Sequence, residues 1–406
     1  MERKARRPNF TRTVCMIVSN DMVNDPRVSR HAETLGAHGF SVIVVCPISE
    51  RTEPHEIKET YEIMRPRSAL LGTVLKLVTR EYYKSSWNRK AGIAGHEPHG
   101  LIKLVAGTGS FFLTQLALLR TAKKQRAQVY CANDFDTLLV TILAAGLDRC
   151  VVYDSHELWP DMMLMPQPIK TIARAAEKLL VKRADIVMAT TEFQADELRS
   201  RFSLPNRPQV IYNCPSKESH ATPKSKRKGL KIALYQGRYL PDRGLENLVL
   251  AADHLLPDVR LVLRGFGAIE QNLRSLSVGR TKIRFAEPVS MSKLVSAAKE
   301  ADIGIVSMPP TSLNNYFACP NKLFEYISAG LPVVSSDTPF LRKIILKNDI
   351  GTLFDARDPQ SIADAINRST RDPILKRQRA NLAAVAAKYN WENESEKLLQ
   401  AYANLS

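Results

Sequence analysis

Short apolar runs alternate with longer segments of helical spacing along most of this 406-residue chain. Strand-length runs occur in the first half at residues 13–19, 41–46, 128–132, 150–154, 185–190 and 209–212. A second series follows at residues 231–236, 259–264, 282–285, 302–306 and 332–335. Strands that alternate with helices form parallel sheets covered by helices on both faces. The pattern therefore predicts an α/β fold of two Rossmann-like domains that face a cleft.

A segment rich in Pro, Ser and Lys separates the two series at residues 213–229. We place the first domain at residues 1–215, the linker at 216–229 and the second domain at 230–390. Ligands of open parallel sheets bind beyond the carboxyl ends of the strands. Functional side chains are therefore expected in the loops that directly follow strands.

The composition is that of an ordinary globular protein, with 44% hydrophobic and 24% charged residues. It excludes a disordered chain, a collagen-like repeat and a small disulfide scaffold. The six cysteines form no CxxC pair, so we expect reduced core cysteines in a cytoplasmic protein and no zinc site. No segment has the pattern of a signal peptide, and the uncharged stretches at 104–119 and 303–321 are too short or too polar to span a bilayer. Residues 104–119 are predicted to form a buried or interfacial helix.

A glycine turn follows the first strand of the second series. The segment GRYLPDRG at 237–244 places Gly237, Arg238 and Arg243 after that strand. Free N–H groups at a helix N-terminus, together with forked guanidinium donors, suit a diphosphate. The alternative is a plain turn with a solvated pair of arginines.

The segment PNKLFEYISAGLP at 320–332 predicts a short helix, because proline stands at its start and glycine just after its end. Lys322 and Glu325 are three residues apart and therefore share one face. The Glu325 carboxylate is placed to accept two ribose hydroxyls, while Lys322 and the helix N-terminus face phosphate. The alternative is an ion pair between these two residues within the helix.

Two weaker motifs also follow strands. RGFG at 264–267 would let Gly265 and Gly267 approach a nucleotide with their backbone, although a tight turn explains them equally well. In YDSHE at 153–157, His156 is placed to orient or polarise a substrate hydroxyl or phosphate. The alternative there is a structural histidine.

Asp134 and Asp136 imitate the DxD motif with which single-domain sugar transferases hold a divalent ion. Paired carboxylates could bind such an ion between diphosphate oxygens. Short motifs match by chance often, and Asp134 stands where it would cap the following helix. We therefore expect no metal here.

Together these motifs resemble the two-domain GT-B glycosyltransferases, in particular the large retaining group known as family 4 or group 1. In the first half the resemblance rests on NDPRV at 24–28, YDSHE at 153–157 and VIYNCP at 210–215. In the second half it rests on YQG at 235–237, RGL at 243–245, residues 302–309 and the segment at 320–332. YNWE at 389–392 is similar to the family's last helix, so residues 391–406 are expected to return to the first domain.

The resemblance implies transfer of a sugar from a nucleotide-diphosphate donor in the second domain to a hydroxyl acceptor in the first. It implies no cofactor besides this co-substrate. By position, Arg238 and Arg243 would grip the diphosphate, and Glu325 would hold the ribose. His156 would lie near the transferred sugar, so His156 and Arg243 are the implied catalytic residues. The implied donor-binding residues are Gly237, Arg238, Arg243, Gly265, Gly267, Asn321, Lys322 and Glu325.

Two positions depart from the family pattern. Arg243 stands where the family usually has lysine, which keeps the charge but holds phosphate as a fork. Phe317 stands eight residues before Glu325, where the family usually has the first glutamate of an E-x7-E pair. The branch with PNKLFEY-like sequences, which this chain resembles, also lacks that glutamate, so Phe317 is interpreted as a feature of the branch. These departures leave a non-catalytic GT-B-like scaffold as the alternative function. A dinucleotide-dependent oxidoreductase fits poorly, because no GxGxxG follows the first strand.

The net charge of +17 is concentrated in a few segments. Residues 65–126 carry twelve basic residues and two acidic ones. Within 70–87 the apolar positions follow helical spacing, and Lys76, Arg80 and Lys84 repeat every fourth residue. Such a helix can lie on an anionic membrane surface on the inner face of the cell membrane, which would suit a lipid-linked acceptor in cell-surface polysaccharide synthesis. The alternative is a core-facing helix with solvated lysines.

A nucleic-acid partner is not expected, since no aromatic platform is interleaved with the basic residues.

Overall fold

The computed structural model of the chain describes residues 12–66, 100–162, 167–217 and 229–405, the side chains of 100–108 and 110 excepted. Its first sheet has eight strands in the spatial order β3-β4-β2-β1-β5-β6-β7-β8. All neighbours in this sheet are parallel except β3 and β4. The strands are β1 (Arg12–Ile17), β2 (Phe40–Val45), β3 (His55–Ile57), β4 (Tyr61–Met64), β5 (Val129–Asn133), β6 (Cys150–Ser155), β7 (Ile186–Ala189) and β8 (Gln209–Val210).

The second sheet has six parallel strands in the order β11-β10-β9-β12-β13-β14. Its strands are β9 (Lys231–Gln236), β10 (Val259–Arg264), β11 (Ile283–Ala286), β12 (Ile303–Val306), β13 (Val333–Ser336) and β14 (Gly351–Phe354). Helices of the first half are Pro26–Ala37, Gly100–Lys124, Phe135–Ala145, Gln167–Leu180 and Glu192–Phe202. Helices of the second half are Leu245–Leu250, Glu270–Leu276, Leu294–Ala298, Leu313–Phe317, Asn321–Ser328, Pro339–Lys347, Pro359–Thr370 and Asp372–Lys388, followed by Trp391–Ala403.

The prediction of two parallel-sheet domains is confirmed. The bounds of β9 and β10 agree with the sequence pattern at both ends, because each strand has an apolar centre that is buried in the interior of the sheet. The pattern missed β3, β4 and β14. β3 and β4 have only three and four residues at a charged sheet edge, where apolar periodicity is short.

The helix Gly100–Lys124 confirms a helix at 104–119, but the buried placement is wrong for its described part. Leu118 and Ala122 face the sheet and are buried, whereas Phe111 and Phe112 are exposed. Apolar residues occur around the whole helix, so its composition did not reveal that only one side meets the sheet. No helix within the described ranges has both the length and the apolar character to cross a membrane.

The last helix, Trp391–Ala403, packs on the first sheet and not on the second. Trp391, Leu398 and Tyr402 belong to the buried cluster that also contains residues of β1 and β2. Trp391 Nε1 donates a hydrogen bond to Thr34 Oγ1 at 2.9 Å, which ties the helix to Pro26–Ala37. The chain therefore crosses from the second domain back to the first.

All six cysteines lie within the described residues, and none of them forms a disulfide bond. Cys15, Cys46, Cys131 and Cys214 are buried, and the other two are half-buried. This agrees with the expected core positions.

Candidate active site between the two domains

The turn after β9 is shaped by two glycines. Gly237 has φ of +148°, and a Cβ there would lie 3.1 Å from Lys322 Nζ. Gly244 has φ of +61°, and a Cβ there would lie 2.8 Å from Pro309. A side chain at either position would be strained. Glycine at 237 therefore lets Lys322 approach the carboxyl end of β9.

Lys322 stands at the start of the helix Asn321–Ser328, with Nζ 4.1 Å from the centre of the Tyr235 ring. Burial, and secondly the positive charge of Arg243, lower the pKa of its ammonium to about 7. No ion pair joins Lys322 to a described carboxylate. The alternative of an ion pair between Lys322 and Glu325 is therefore wrong.

The two arginines of the turn also lack a strong acidic partner. The Arg238 side chain is exposed and forms no hydrogen bond or ion pair with a described residue. Arg243 ends the short turn Pro241–Arg243, and its one ion pair with a described residue is a 3.6 Å contact to Asp242. Arg243, Lys322 and Gly237 are therefore brought together, and the cations beyond β9 are nearly unneutralised.

Glu325 lies on the same helix, where burial raises the pKa of its carboxyl and the charges of Lys322 and Arg30 oppose that rise. Arg30 comes from the first domain and donates to Asn213 Oδ1 at 2.5 Å. Asn213 in turn donates to Asn321 Oδ1 at 3.0 Å. Both domains thus contribute polar groups around Glu325.

Close packing explains why glycine occupies positions 265 and 267. A Cβ at Gly265 would lie 1.8 Å from the carbonyl oxygen of Gly237, and one at Gly267 would lie 2.3 Å from that of Tyr239. The turns after β9 and β10 lie against each other, with Tyr239 N donating to Phe266 O at 2.8 Å. The turn interpretation explains both glycines, and their contact with a nucleotide stays a prediction.

On the first domain, the predicted His156 lies in a buried charged cluster. Its Nε2 is 3.1 Å from Asp154 Oδ2, and its Nδ1 is 3.5 Å from Asp134 Oδ2. Burial alone would lower the pKa of His156, but the two carboxylates raise it to about 9. Both ring nitrogens face carboxylates, so the ring is an imidazolium that supplies fixed charge and has no free nitrogen to accept a proton.

Asp154 is the centre of this cluster. Arg27 donates to its two oxygens from Nε and Nη2, at 2.9 and 2.6 Å. Burial alone would raise the pKa of Asp154, but Arg27 and then His156 hold it well below the usual range. His31 Nδ1 is 3.4 Å from the same carboxylate, and burial lowers the pKa of His31 to about 3, so its ring is neutral.

The expectation that Asp134 caps the helix Phe135–Ala145 is wrong. Asp134 holds the cap position, but its φ is +70° and its side chain makes no cap hydrogen bond. Its carboxylate instead accepts the backbone N–H groups of His156 at 2.8 Å and Glu157 at 3.1 Å. The described residues contain no group of three His, Cys, Asp or Glu suited to a metal ion.

The helix Leu313–Phe317 joins the two sides. Asn314 Nδ2 donates to Glu157 Oε2 at 3.2 Å, and its Oδ1 accepts from Leu158 N at 2.8 Å. Phe317 stacks on Phe193 of the first domain, with ring centres 6.5 Å apart and planes 4° from parallel. The residue that stands in the place of the family's first glutamate is therefore a contact between the domains.

Sequence reasoning assigned no role to Arg27, Arg30, His31, Asn213 or Asn314. The signal for three of them was present, since Arg27 lies in the NDPRV segment and Asn213 in the VIYNCP segment, and His31 follows one turn after Arg27. Their partners, however, come from distant parts of the chain. The membrane-surface candidates Lys76, Arg80 and Lys84 lie outside the described residues.

Comparison with known proteins gives a consistent result. Residues 27–215 match the model of Glycosyltransferase Family 4, and residues 216–389 match Glycosyl transferases group 1. The chain is 26% identical over 259 residues to D-inositol 3-phosphate glycosyltransferase of Corynebacterium urealyticum, covering 57% of this chain and 59% of that protein. It is 30% identical over 178 residues to phosphatidyl-myo-inositol mannosyltransferase of Mycobacterium leprae, covering 42% and 46%. It thus matches about half the length of these curated relatives.

The fold is also that of Anabaena Alr3699/HepE, solved in complex with UDP and glucose. The TM-score is 0.69 at 14% identity, with 97% of this chain and all of that chain covered. The two family matches meet at residues 215 and 216 and together extend from residue 27 to residue 389. With its two parallel sheets and the charged groups between them, the chain belongs to the GT-B glycosyltransferases of family 4.

Proposed function

We propose that the protein transfers a sugar from a nucleotide-diphosphate donor to a hydroxyl acceptor, with retention at the anomeric carbon and without a metal ion. The observation that carries this proposal is the group of cations beyond the carboxyl end of β9. Arg238, Arg243 and Lys322 lack a strong carboxylate partner among the described residues. A diphosphate supplies the missing negative charge.

In this proposal Arg238 and Arg243 hold the diphosphate, and Lys322 contacts it beside the N-terminus of the helix Asn321–Ser328. The N–H groups of a helix N-terminus favour anions. Departure of the nucleotide diphosphate builds negative charge, which prearranged cations stabilise more in the transition state than in the ground state. Glu325 accepts the ribose hydroxyls.

The acceptor hydroxyl attacks on the face from which the diphosphate leaves: its oxygen bonds to the anomeric carbon as the bond from that carbon to the phosphate oxygen breaks, and its proton passes to the departing phosphate oxygen. His156 then acts as a fixed positive charge near the transferred sugar and not as a proton acceptor, because both of its nitrogens face carboxylates. Contact between the domains through Asn314 excludes water from the reacting groups and limits hydrolysis of the donor.

A uridine nucleotide is the donor we favour, since the HepE structure of similar fold holds UDP and glucose. A lipid-linked acceptor is supported by the similarity to a phosphatidyl-myo-inositol mannosyltransferase. We place the reaction in cell-surface polysaccharide or lipid-linked glycan synthesis, at the cytoplasmic face of the membrane. A non-catalytic scaffold is the second candidate, favoured by Phe317, which occupies the usual glutamate position with an apolar interdomain contact.

A thermal-shift screen tests the proposal with UDP, GDP, dTDP, CMP, ADP and their sugars. A ligand at a hundred times its Kd stabilises the folded state by about 2.7 kcal/mol, which is a shift of several degrees in Tm. We expect a shift with one nucleotide, lost in Arg243→Ala and kept in the control Arg357→Ala, whose guanidinium is fully exposed. Absence of any shift, with no release of nucleotide from any donor, would favour the scaffold.

A further inference from the structure

The outer face of the first domain exposes a row of large apolar side chains. Of the eighteen large apolar side chains that are exposed in the described residues, ten lie between residues 111 and 179. Six side chains of this row lie on three neighbouring helices. We name this group the apolar ridge, and it consists of Phe112, Leu116, Leu139, Leu143, Ile172 and Leu179.

The ridge is an outer surface and not a gap in the core. The helices Gly100–Lys124, Phe135–Ala145 and Gln167–Leu180 pack side by side on one face of the first sheet. Their inward positions are filled, since Leu118, Leu138 and Ala173 are buried. On the helix Gln167–Leu180 the exposed Ile172 and Leu179 are separated by two turns and share one side. The ridge therefore runs across the outside of all three helices.

Positive charges lie at one end of the same surface. Each of the three helices directly precedes a parallel strand, so their C-terminal ends meet at the amino end of the sheet, opposite the cleft. The cationic rim, as we name it, is exposed, and none of its members forms an ion pair with a described residue. It consists of Lys123, Lys124, Arg126, Lys178 and Lys182.

Acidic residues are few on this face. Residues 111–126 contain no acidic residue, and the one acidic residue in 167–183 is Glu177, which is buried and accepts a hydrogen bond from the Tyr153 hydroxyl at 2.6 Å. Burial raises the pKa of Glu177 to about 7. Asp148 and Asp185 are exposed at the same end of the sheet, beside the five cations of the rim. The face thus combines exposed apolar side chains with charge that is mainly positive.

We propose that this face docks on an anionic lipid membrane. Apolar side chains of a surface helix enter the boundary between headgroups and acyl chains, while basic residues meet the phosphates of anionic lipids. Groups of exposed apolar side chains that share one face mark interaction sites. A second copy of the chain fits less well, since both copies would present a face with net positive charge.

This surface differs from the basic helix predicted at residues 70–87, and it rests on no residue of that segment. It is also independent of the proposed transfer reaction, because membrane binding can be measured without donor or acceptor. The cleft opens at the other end of the sheet. Docking through the ridge therefore leaves the cleft accessible to a donor from solution.

Co-sedimentation of the full chain with phosphatidylcholine vesicles, with and without phosphatidylglycerol, tests the proposal. We expect binding to the anionic vesicles at low salt and weaker binding at high salt. The ridge variant Phe112→Ser/Leu143→Ser/Ile172→Ser should lower the partition coefficient at least about tenfold. The rim variant Lys123→Gln/Lys124→Gln/Lys182→Gln should lower it about a hundredfold.

Matched controls come from the second domain, with Leu256→Ser/Val278→Ser/Leu346→Ser for exposed apolar residues. The control should bind as the wild type does, and all variants should keep the wild-type melting temperature. Binding unaffected by the ridge variant but lost in Lys76→Gln/Arg80→Gln/Lys84→Gln would overturn the proposal in favour of residues 70–87. Absence of vesicle binding, or a dimer that only the ridge variant disrupts, would overturn it as well.

Discussion

The two sides of the cleft hold their charges in opposite ways. On the first domain, Asp154 is surrounded by Arg27, His31 and His156, so each charge has a partner within the protein. On the second domain, Arg243 and Lys322 lie close to each other and have hardly any partner. Buried charges are costly unless they are paired. We therefore expect the paired cluster to stabilise the fold and to hold His156 in place, and the unpaired one to be completed by a ligand.

Among the variants that test this difference between the two sides, Asp154→Asn should have the largest effect. The change leaves the Arg27 guanidinium buried without its partner, which should lower the free energy of unfolding by about 3–5 kcal/mol. Urea unfolding followed by circular dichroism measures it. The exposed pair of Asp355 with Arg357 provides the control, where Asp355→Asn should cost less than about 1 kcal/mol. Equal stability of Asp154→Asn and wild type would contradict a structural role for the cluster.

A substitution among the unpaired cations of the second domain should lower activity and leave stability unchanged. Arg243→Ala removes a cation that stabilises the leaving diphosphate, so kcat/KM with the true donor should fall about 10²- to 10³-fold. The melting temperature without ligand should stay within about a degree of the wild type, since Arg243 has only a 3.6 Å contact to Asp242. Unchanged turnover, or a large loss of stability, would count against the division between the two sides.

The smallest expected effect is the uptake of a proton when the nucleotide donor binds. Lys322 has a pKa lowered to about 7 by burial and Arg243, and a bound diphosphate should raise it again. The bound state then holds more protons than the free state above pH 7, so donor affinity should decrease as the pH rises from about 7 towards 10. At pH 8 we expect uptake of nearly one proton per nucleotide, measured by calorimetry in buffers of different ionisation enthalpy. Lys322→Arg should abolish the proton uptake, because an arginine is already protonated at pH 8. Nucleotide binding to the wild type without proton uptake would refute the lowered pKa of Lys322.

The fold and the position of the glycine turn after β9 followed from the sequence, because the signals are local. Apolar residues mark the centres of β9 and β10, and glycine with arginine directly after a strand predicts an anion-binding turn. The paired cluster is different, since Arg27 and Asp154 are separated by 127 residues and meet only through the sheet order. Asn213 and Asn321 are separated by 108 residues and meet across the two domains. No local pattern predicts such contacts.

Local reasoning also failed at two positions for identifiable reasons. Asp134 stands at a helix start, but its positive φ turns the carboxylate away from the helix and towards the next strand's loop. Phe317 was interpreted as the loss of a glutamate that is typical of one branch of the family, whereas the structure gives its ring a partner in Phe193. In both cases the role of the side chain is determined by a residue that is distant in the sequence and adjacent in space.

The return of the helix Trp391–Ala403 to the first sheet affects how the protein is made. A ribosome synthesises the chain from its N-terminus, and domains generally fold as they emerge. The first domain cannot fill its core in this order, because Trp391, Leu398 and Tyr402 complete the cluster around β1 and β2. It must wait, with an apolar surface open to chaperones, until the whole second domain has been translated.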